Sequence, residues 1–217
     1  MAGISCTLAT QGPFRADRGN APYNSVCQRR PVEASAPRCN ARDFAVRPLV
    51  VIWEMTQACD LKCMHCRASA QPHRHPRELS TAEAFNLVDQ IANMRVPIFV
   101  LTGGDPLKRP DLQAILEYAR QRSVKTSLTP SATPLLTREA IFQLKKSGLM
   151  RLALSLDGST AQLHDGFRGV AGSWRRTLDA IEWSHEANLP VQVGTRKNTL
   201  HRITLTEASN STRLSRS

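Results

Sequence analysis

The sequence contains no apolar run of about 18 residues, the length at which a segment becomes a candidate membrane-spanning helix. Its N-terminus also lacks the apolar stretch of a secretion signal, because Gly, Pro, Arg and Asp interrupt it. Aromatic residues make up only 5% of the chain, which leaves few surfaces on which single-stranded nucleic acid could stack. We therefore expect a cytoplasmic protein that has no membrane partner.

Positive charge is plentiful but unevenly distributed. The formal net charge is +11, and residues 1–48 and 196–217 each carry an excess of four positive charges. The long segment between them is therefore close to balanced. Nucleic-acid binding requires a basic patch on the folded domain. Since the excess lies at the two ends of the chain, we do not expect nucleic acid to be the partner.

The chain divides into three segments. Residues 1–42 show neither helical nor strand periodicity, which is typical of a poorly ordered basic extension. Residues 43–195 carry the regular pattern of a folded core domain. Residues 196–217 are basic and rich in Ser and Thr, and the strand and helix patterns stop before them. We hypothesise that this tail is not native to the fold and results from a truncation or a frameshift.

Five short apolar runs predict strands that are buried on both faces. They are residues 49–53, 98–101, 124–128, 152–156 and 191–193. Helical patterns lie between them, beginning after Ser80, whose capping box is completed by Glu83, and at Pro110, Thr137 and Ser173. The last of these helices is expected to bury Trp174, Leu178 and Ile181.

This alternation of strands and helices predicts right-handed βαβ units and a parallel sheet. A closed eight-stranded barrel needs about 250 residues. We therefore predict an α/β fold, a partial TIM-like (βα) barrel with about five parallel strands that is incomplete at its C-terminus.

Three of the six cysteines, Cys59, Cys63 and Cys66, follow directly on the first strand. In a chain without a secretion signal, cysteines indicate metal or redox chemistry more than a disulfide framework. Thiolates are the preferred ligands of iron–sulfur clusters and of zinc. Three thiolates on a four-iron cluster leave one iron free to chelate a small molecule. Cys6, Cys27 and Cys39 receive no role.

The spacing of these cysteines also allows a structural zinc site. Its fourth ligand would be His65, His73 or His75. The chain would then be a zinc-stabilised binding module whose basic tails contact an acidic partner or nucleic acid.

A second motif, Gly103-Gly104-Asp105, follows the second strand and so lies on the same edge of the sheet. The two glycines let the backbone come close to a ligand, and Asp105 can accept a hydrogen bond from a cationic amine. The two motifs together predict a binding site for a small molecule beside the cysteines.

Cys-x3-Cys-x2-Cys after the first strand and Gly-Gly-Asp-Pro after the second resemble the radical SAM superfamily, whose second motif is usually Gly-Gly-Glu-Pro. The resemblance covers about residues 43–195. It is closest to the SPASM-type subgroup, which matures peptides or haem-type tetrapyrroles. Residues 154–158 (Leu-Ser-Leu-Asp-Gly), His164-Asp165 and Arg168-Gly169 are similar to the fourth-strand segment of that subgroup.

The resemblance implies a role for each motif residue. Cys59, Cys63 and Cys66 would ligate a [4Fe-4S] cluster. The methionine amino group of S-adenosylmethionine would contact Gly103, Gly104 and Asp105. The roles implied for the remaining three residues are hydrogen bonding to the ribose or carboxylate region for Ser155, pairing with the methionine carboxylate for Arg168, and packing near the adenine for His65.

The resemblance also implies an activity. The enzyme would cleave S-adenosylmethionine reductively and abstract a hydrogen atom from a peptide or tetrapyrrole substrate. A one-electron donor such as a flavodoxin or ferredoxin would reduce the cluster. The remaining alternative is an inactive, truncated remnant that binds a cluster but does not turn over.

Overall fold

The computed structural model describes residues 4–5, 47–64, 66 and 68–195. The strands are β1 (Ile4–Ser5), β2 (Val50–Glu54), β3 (Ile98–Thr102), β4 (Thr126–Leu128), β5 (Arg151–Ser155) and β6 (Val191–Gly194). The helices are α1 (Thr81–Asn93), α2 (Leu112–Gln121), α3 (Arg138–Lys146), α4 (Ala161–Arg168) and α5 (Ser173–Glu186), with a 3-10 turn at Pro106–Lys108. Within these residues, none of the helices combines the length and the apolar character needed to cross a bilayer.

The strands form one sheet in the order β1-β2-β3-β4-β5-β6. Strands β2 to β6 are parallel, and each pairs with the strand that follows it in sequence, as in the wall of a βα barrel. The predicted α/β fold with five parallel strands is confirmed. The short β1, which pairs antiparallel with β2, has no counterpart in the prediction. The rest of the predicted extension and the whole predicted tail lie outside the described residues.

The core lies between the sheet and the helices. The prediction that the strands are buried on both faces is wrong for most of them. Strand β2 fully buries only alternate residues, Val51 and Trp53, β3 buries Phe99 and Leu101, and most of β6 is exposed. The capping box of α1 is present, since the Ser80 hydroxyl accepts from Glu83 N at 3.3 Å and the Glu83 carboxylate accepts from Ser80 N at 2.8 Å. The apolar faces of α1 and α2 are buried as their spacing predicts.

Helix α5 buries a different face from the one predicted. Its buried residues are Ser173, Thr177, Ala180 and Ser184, whereas Trp174, Leu178 and Ile181 are only half-buried. Small side chains let the helix lie close to its neighbours. The hydroxyls of Thr177 and Ser184 can be buried because each donates to the carbonyl four residues earlier, at 2.8 and 2.6 Å.

Helix α4 is absent from the predicted elements. It is short and polar, and it contains Gly166, so its sequence gives little periodic signal. Thr160 caps its first turn by accepting from Leu163 N at 3.4 Å, and Gly169 ends it in the left-handed conformation with φ of 70°. This helix carries His164 and Arg168 to the edge of the sheet where the parallel strands end.

Candidate metal centre

A cavity of about 320 Å³ opens at the carboxyl edge of the parallel strands. The loops after β2 and β3 supply most of its wall, and α4 and the loop after β4 supply the rest. Its lining residues are Glu54, Cys59, Leu61, Cys63, Cys66, Ala68, Ala70, Thr102, Gly103, Gly104, Ser131 and Arg168. The three predicted thiols, both motif glycines and Arg168 therefore share one cavity.

Each of the three sulfur atoms receives an N–H donor. Such donors stabilise a thiolate more than a thiol, and thiolates are the metal-binding form of cysteine. The donors are Leu61 N to Cys59 Sγ at 3.4 Å, Ala70 N to Cys66 Sγ at 3.4 Å, and Arg168 Nη1 to Cys63 Sγ at 3.6 Å.

Cys59 is the thiol that is packed against the loop after β4. Its sulfur lies 3.4 Å from Ser131 Oγ. Burial raises the pKa of the Cys59 thiol, and the hydrogen bonds with Ser131 and Leu61 partly offset that rise. Ser131 in turn donates from its hydroxyl to the Gly104 carbonyl at 3.0 Å. Ser131 thus links the first thiol to the glycine motif, a role that sequence reasoning missed.

The glycine motif brings the loops after β2 and β3 together. Gly104 N donates to Thr56 O and Asp105 N donates to Ala58 O, both at 2.7 Å. A Cβ on Gly103 would lie 2.3 Å from Thr56 O, and Gly103 has a φ of 139°, which other residues rarely adopt. The two glycines therefore allow a backbone approach that seats the cysteine loop.

Asp105 lies beneath the cavity and is completely buried. Its carboxylate accepts from Thr133 Oγ1 at 2.7 Å, Leu107 N at 3.2 Å and Ser131 N at 3.3 Å. Burial raises the pKa of Asp105, against the lowering effect of these three hydrogen bonds. In this position the carboxylate joins the loops after β3 and β4. A direct contact between Asp105 and an amine ligand stays a prediction.

The end of α4 lies against the cysteine loop. Lys62 N donates to the Arg168 carbonyl at 3.1 Å, and Met64 N donates to the Phe167 carbonyl at 3.2 Å. The Arg168 guanidinium forms an ion pair with Asp157, which follows β5. Cys63, between the two donating residues, is therefore positioned by both the backbone and the side chain of this helix end.

Ser155 and His164 line a second, much smaller cavity of about 20 Å³ that shares Arg168 with the first. His164 is buried, and its Nδ1 accepts from Asp157 N at 3.1 Å, so this nitrogen carries no proton. Burial lowers the pKa of His164, which favours the same neutral form. The ribose or carboxylate contact of Ser155 stays a prediction.

Glu78 holds the start of the cysteine loop and was also missed by sequence reasoning. Its carboxylate accepts from Thr56 Oγ1 at 2.8 Å, Gln57 N at 3.0 Å, His75 N at 3.1 Å and Arg74 Nε at 2.7 Å. Nothing in the sequence singles it out, because its partners come from a loop without regular structure. Ser131 had a signal, since it follows the third parallel strand on the predicted edge.

Some residues predicted for the site lie outside the described part of the chain, and others are absent from the cavity lining. His65, Cys6, Cys27 and Cys39 lie outside the described part of the chain. His73 and His75, the other candidate zinc ligands, are absent from the cavity lining. Across residues 47–64, 66 and 68–195, no group of three His, Cys, Asp or Glu side chains is arranged to hold a single metal ion.

Comparison with known proteins gives consistent matches. The model of the radical SAM superfamily matches residues 53–207. An AdoMet-dependent heme synthase of Methanosarcina barkeri is 39% identical over 161 residues, which are 73% of this chain and 46% of that protein. A PqqA peptide cyclase of Rhodopseudomonas palustris is 34% identical over 153 residues, 70% of this chain and 40% of that protein.

Among solved structures, Streptococcus suis SuiB bound to S-adenosylmethionine superposes with a TM-score of 0.62 at 19% identity. The superposition covers 77% of this chain and 38% of SuiB. This likeness supports the fold. The chain spans less than half the length of the curated relatives it matches.

Proposed function

The chain belongs to the radical SAM superfamily, and from that premise we propose that Cys59, Cys63 and Cys66 hold a [4Fe-4S] cluster at which S-adenosylmethionine is bound and reductively cleaved. The observation that carries the proposal is the shared cavity, in which three thiols lie with the glycine motif and the cation of Arg168. A cluster with three protein ligands needs this combination of soft donors and adjacent space.

The residues present fit such a group. Three thiols line the cavity, and each sulfur receives an N–H donor that favours the thiolate. Among the described lining residues the only further group of a kind that binds zinc is the Glu54 carboxylate. The metal content after reconstitution therefore distinguishes a zinc site from a cluster. When bound, the cluster supplies the single electron that breaks the sulfonium bond of S-adenosylmethionine.

The chain's own residues would bind and orient the cofactor. We assign the methionine amino group to the backbone of Gly103 and Gly104, and Asp105 supports that loop through its three hydrogen bonds. The methionine carboxylate suits the Arg168 guanidinium, which can donate two parallel hydrogen bonds. Ser155 would bind the ribose or carboxylate region, and His65 would pack near the adenine.

The names of the relatives guide the substrate proposal. They are a heme synthase and a peptide cyclase, and we propose that the substrate here is a peptide or a tetrapyrrole. A flavodoxin or ferredoxin in the cytoplasm would supply the electron. We would look for the residues that choose between the two substrates in the part of the relatives that this chain does not span.

Anaerobic reconstitution with iron and sulfide tests the proposal. The chain offers a matched control, because Cys6, Cys27 and Cys39 can be changed to Ala together while the three cavity cysteines stay. We expect the wild type and this control to bind about four irons per chain. Changing Cys59, Cys63 and Cys66 to Ala together should abolish iron binding.

Release of methionine from S-adenosylmethionine under reducing conditions tests the cleavage step. A colourless wild type that binds one zinc through the cavity cysteines would refute the cluster. A loaded wild type that releases no methionine would refute the cleavage and favour the inactive remnant.

A further inference from the structure

Arg168 is attached to the cysteine loop by its main chain and by its side chain. Its carbonyl accepts from Lys62 N at 3.1 Å, and its Nη1 lies 3.6 Å from Cys63 Sγ. The next residue, Gly169, permits this approach, because a Cβ there would lie 2.5 Å from Lys62 O. The guanidinium is therefore placed beside the sulfur by the backbone packing of α4.

A carboxylate fixes the other side of the guanidinium. Nη2 of Arg168 forms an ion pair with Asp157, whose side chain is 4% exposed, while that of Arg168 is 14% exposed. Asp157 N donates to the buried His164 ring at 3.1 Å. Since little water reaches the pair, solvent does not screen the guanidinium from the sulfur as it would at the surface.

The donor to Cys63 differs in kind from the other two. Cys59 and Cys66 receive neutral backbone N–H groups, whereas Cys63 receives one from a cation. Hydrogen bonds to cluster sulfurs and nearby charge set the reduction potential of an iron–sulfur cluster. A cationic donor stabilises the reduced state most, because reduction adds negative charge to the cluster and its thiolates.

We propose that Arg168 acts as a positioning residue that raises the reduction potential of the cluster by donating from Nη1 to the ligand sulfur of Cys63. This inference rests on the proposed function. It concerns the protein before S-adenosylmethionine binds, and it is separate from the pairing of Arg168 with the methionine carboxylate. Its consequence is that the electron donor can reduce the cluster at a less negative potential.

The test is a redox titration of the reconstituted protein without S-adenosylmethionine, monitored by electron paramagnetic resonance. Arg168→Gln is compared with Arg138→Gln, which removes one positive charge from an ion pair with Glu186 between α3 and α5. We expect the midpoint potential of Arg168→Gln to shift to more negative values. Arg138→Gln should leave it unchanged, because the charge it removes is exposed and screened.

Arg168→Lys keeps the positive charge. It is the variant to titrate if Arg168→Gln holds no cluster. Its single ammonium cannot reproduce the guanidinium fork that contacts Asp157 and Cys63 together, so we expect a smaller negative shift. An unchanged potential in whichever Arg168 variant retains the cluster would overturn the inference, as would equal shifts in Arg168→Gln and Arg138→Gln. A wild type that forms no cluster would instead refute the proposed function.

Discussion

Gly104 and Ala58 lie so close that their loops touch backbone to backbone. A Cβ on Gly104 would be 2.5 Å from the Ala58 carbonyl oxygen, and that oxygen also accepts from Asp105 N at 2.7 Å. The loop that carries the thiols is therefore seated on the loop after β3 by main-chain contacts. A side chain at position 104 would have to push the cysteine loop away.

Gly104→Ala should destabilise the protein by about 1–3 kcal/mol, since the added methyl group meets rigid backbone. Gly166→Ala is the matched control. It lies within α4 with nothing within 4 Å of the added carbon, so it should stabilise the helix by about 0.5–1 kcal/mol. Urea unfolding measures both. A Gly104→Ala protein as stable as the wild type would show that the loops do not meet as described.

We expect Glu78 to stabilise the fold mainly through Oε1, which accepts the hydrogen bonds of Thr56, Gln57 and His75. Glu78→Ala leaves the donors of Thr56, Gln57 and His75 without this partner, and we expect a loss of about 1–3 kcal/mol. Glu78→Gln keeps an acceptor oxygen and loses chiefly the ion pair with Arg74, for which we expect less than about 1 kcal/mol. Chemical denaturation compares the two, and equal losses would contradict this division.

Removing the N-caps of α3 and α4 separates an effect on protein stability from an effect on the cysteine site. Thr137→Ala and Thr160→Ala each remove a side-chain cap and should each cost about 0.5–2 kcal/mol. Only α4 carries Arg168, so only Thr160→Ala should lower the iron content after reconstitution. If Thr137→Ala lowered iron content equally, general instability would explain the effect.

His164 should make stability depend on pH. Burial, with the cation of Arg168, lowers its pKa, and the carboxylates of Asp157 and Asp165 only partly oppose this. The folded protein disfavours the protonated form of His164. The stabilisation from its neutral ring is therefore complete above the unfolded-state pKa of about 6.5. It is lost as the pH falls through the lower folded pKa.

His164→Asn keeps an acceptor for Asp157 N but does not titrate. Its unfolding free energy should therefore fall less than that of the wild type as the pH is lowered from neutrality into the range below 6.5. Denaturant unfolding over a pH series provides the measurement. Parallel pH profiles for the two proteins would rule His164 out as the source of the dependence.

The strands and the cavity were predictable for different reasons. Val50–Glu54 and Ile98–Thr102 are short apolar runs, so composition alone locates them, although only alternate residues in each strand are fully buried. Parallel strands end on one edge, and this places Cys59 and Gly104 in one cavity without knowledge of any side-chain contact.

The rest depended on contacts that leave little trace in the sequence. Helix α4 is held by its cap and by packing against the cysteine loop, and its composition is polar. The buried face of α5 carries hydroxyls that bond within the helix, so a search for large apolar residues such as Trp174 selects the wrong face. Two of the three hydrogen-bond partners of Asp105, Thr133 and Ser131, come from the loop after β4, and spacing along the chain cannot show them.

The order of strands in the sheet has a consequence for biosynthesis. Because β2 to β6 each pair with the next strand in sequence, the sheet can assemble in the order in which the ribosome delivers it. Residues 62–64 emerge early, whereas the helix end that contacts them, residues 167–169, emerges about a hundred residues later. At a synthesis rate of about 5–20 residues per second, the thiol of Cys63 is made about 5–20 seconds before that helix end. During that interval this thiol lacks its arginine donor and the backbone packing that positions it, so the nascent loop is less protected than the folded one.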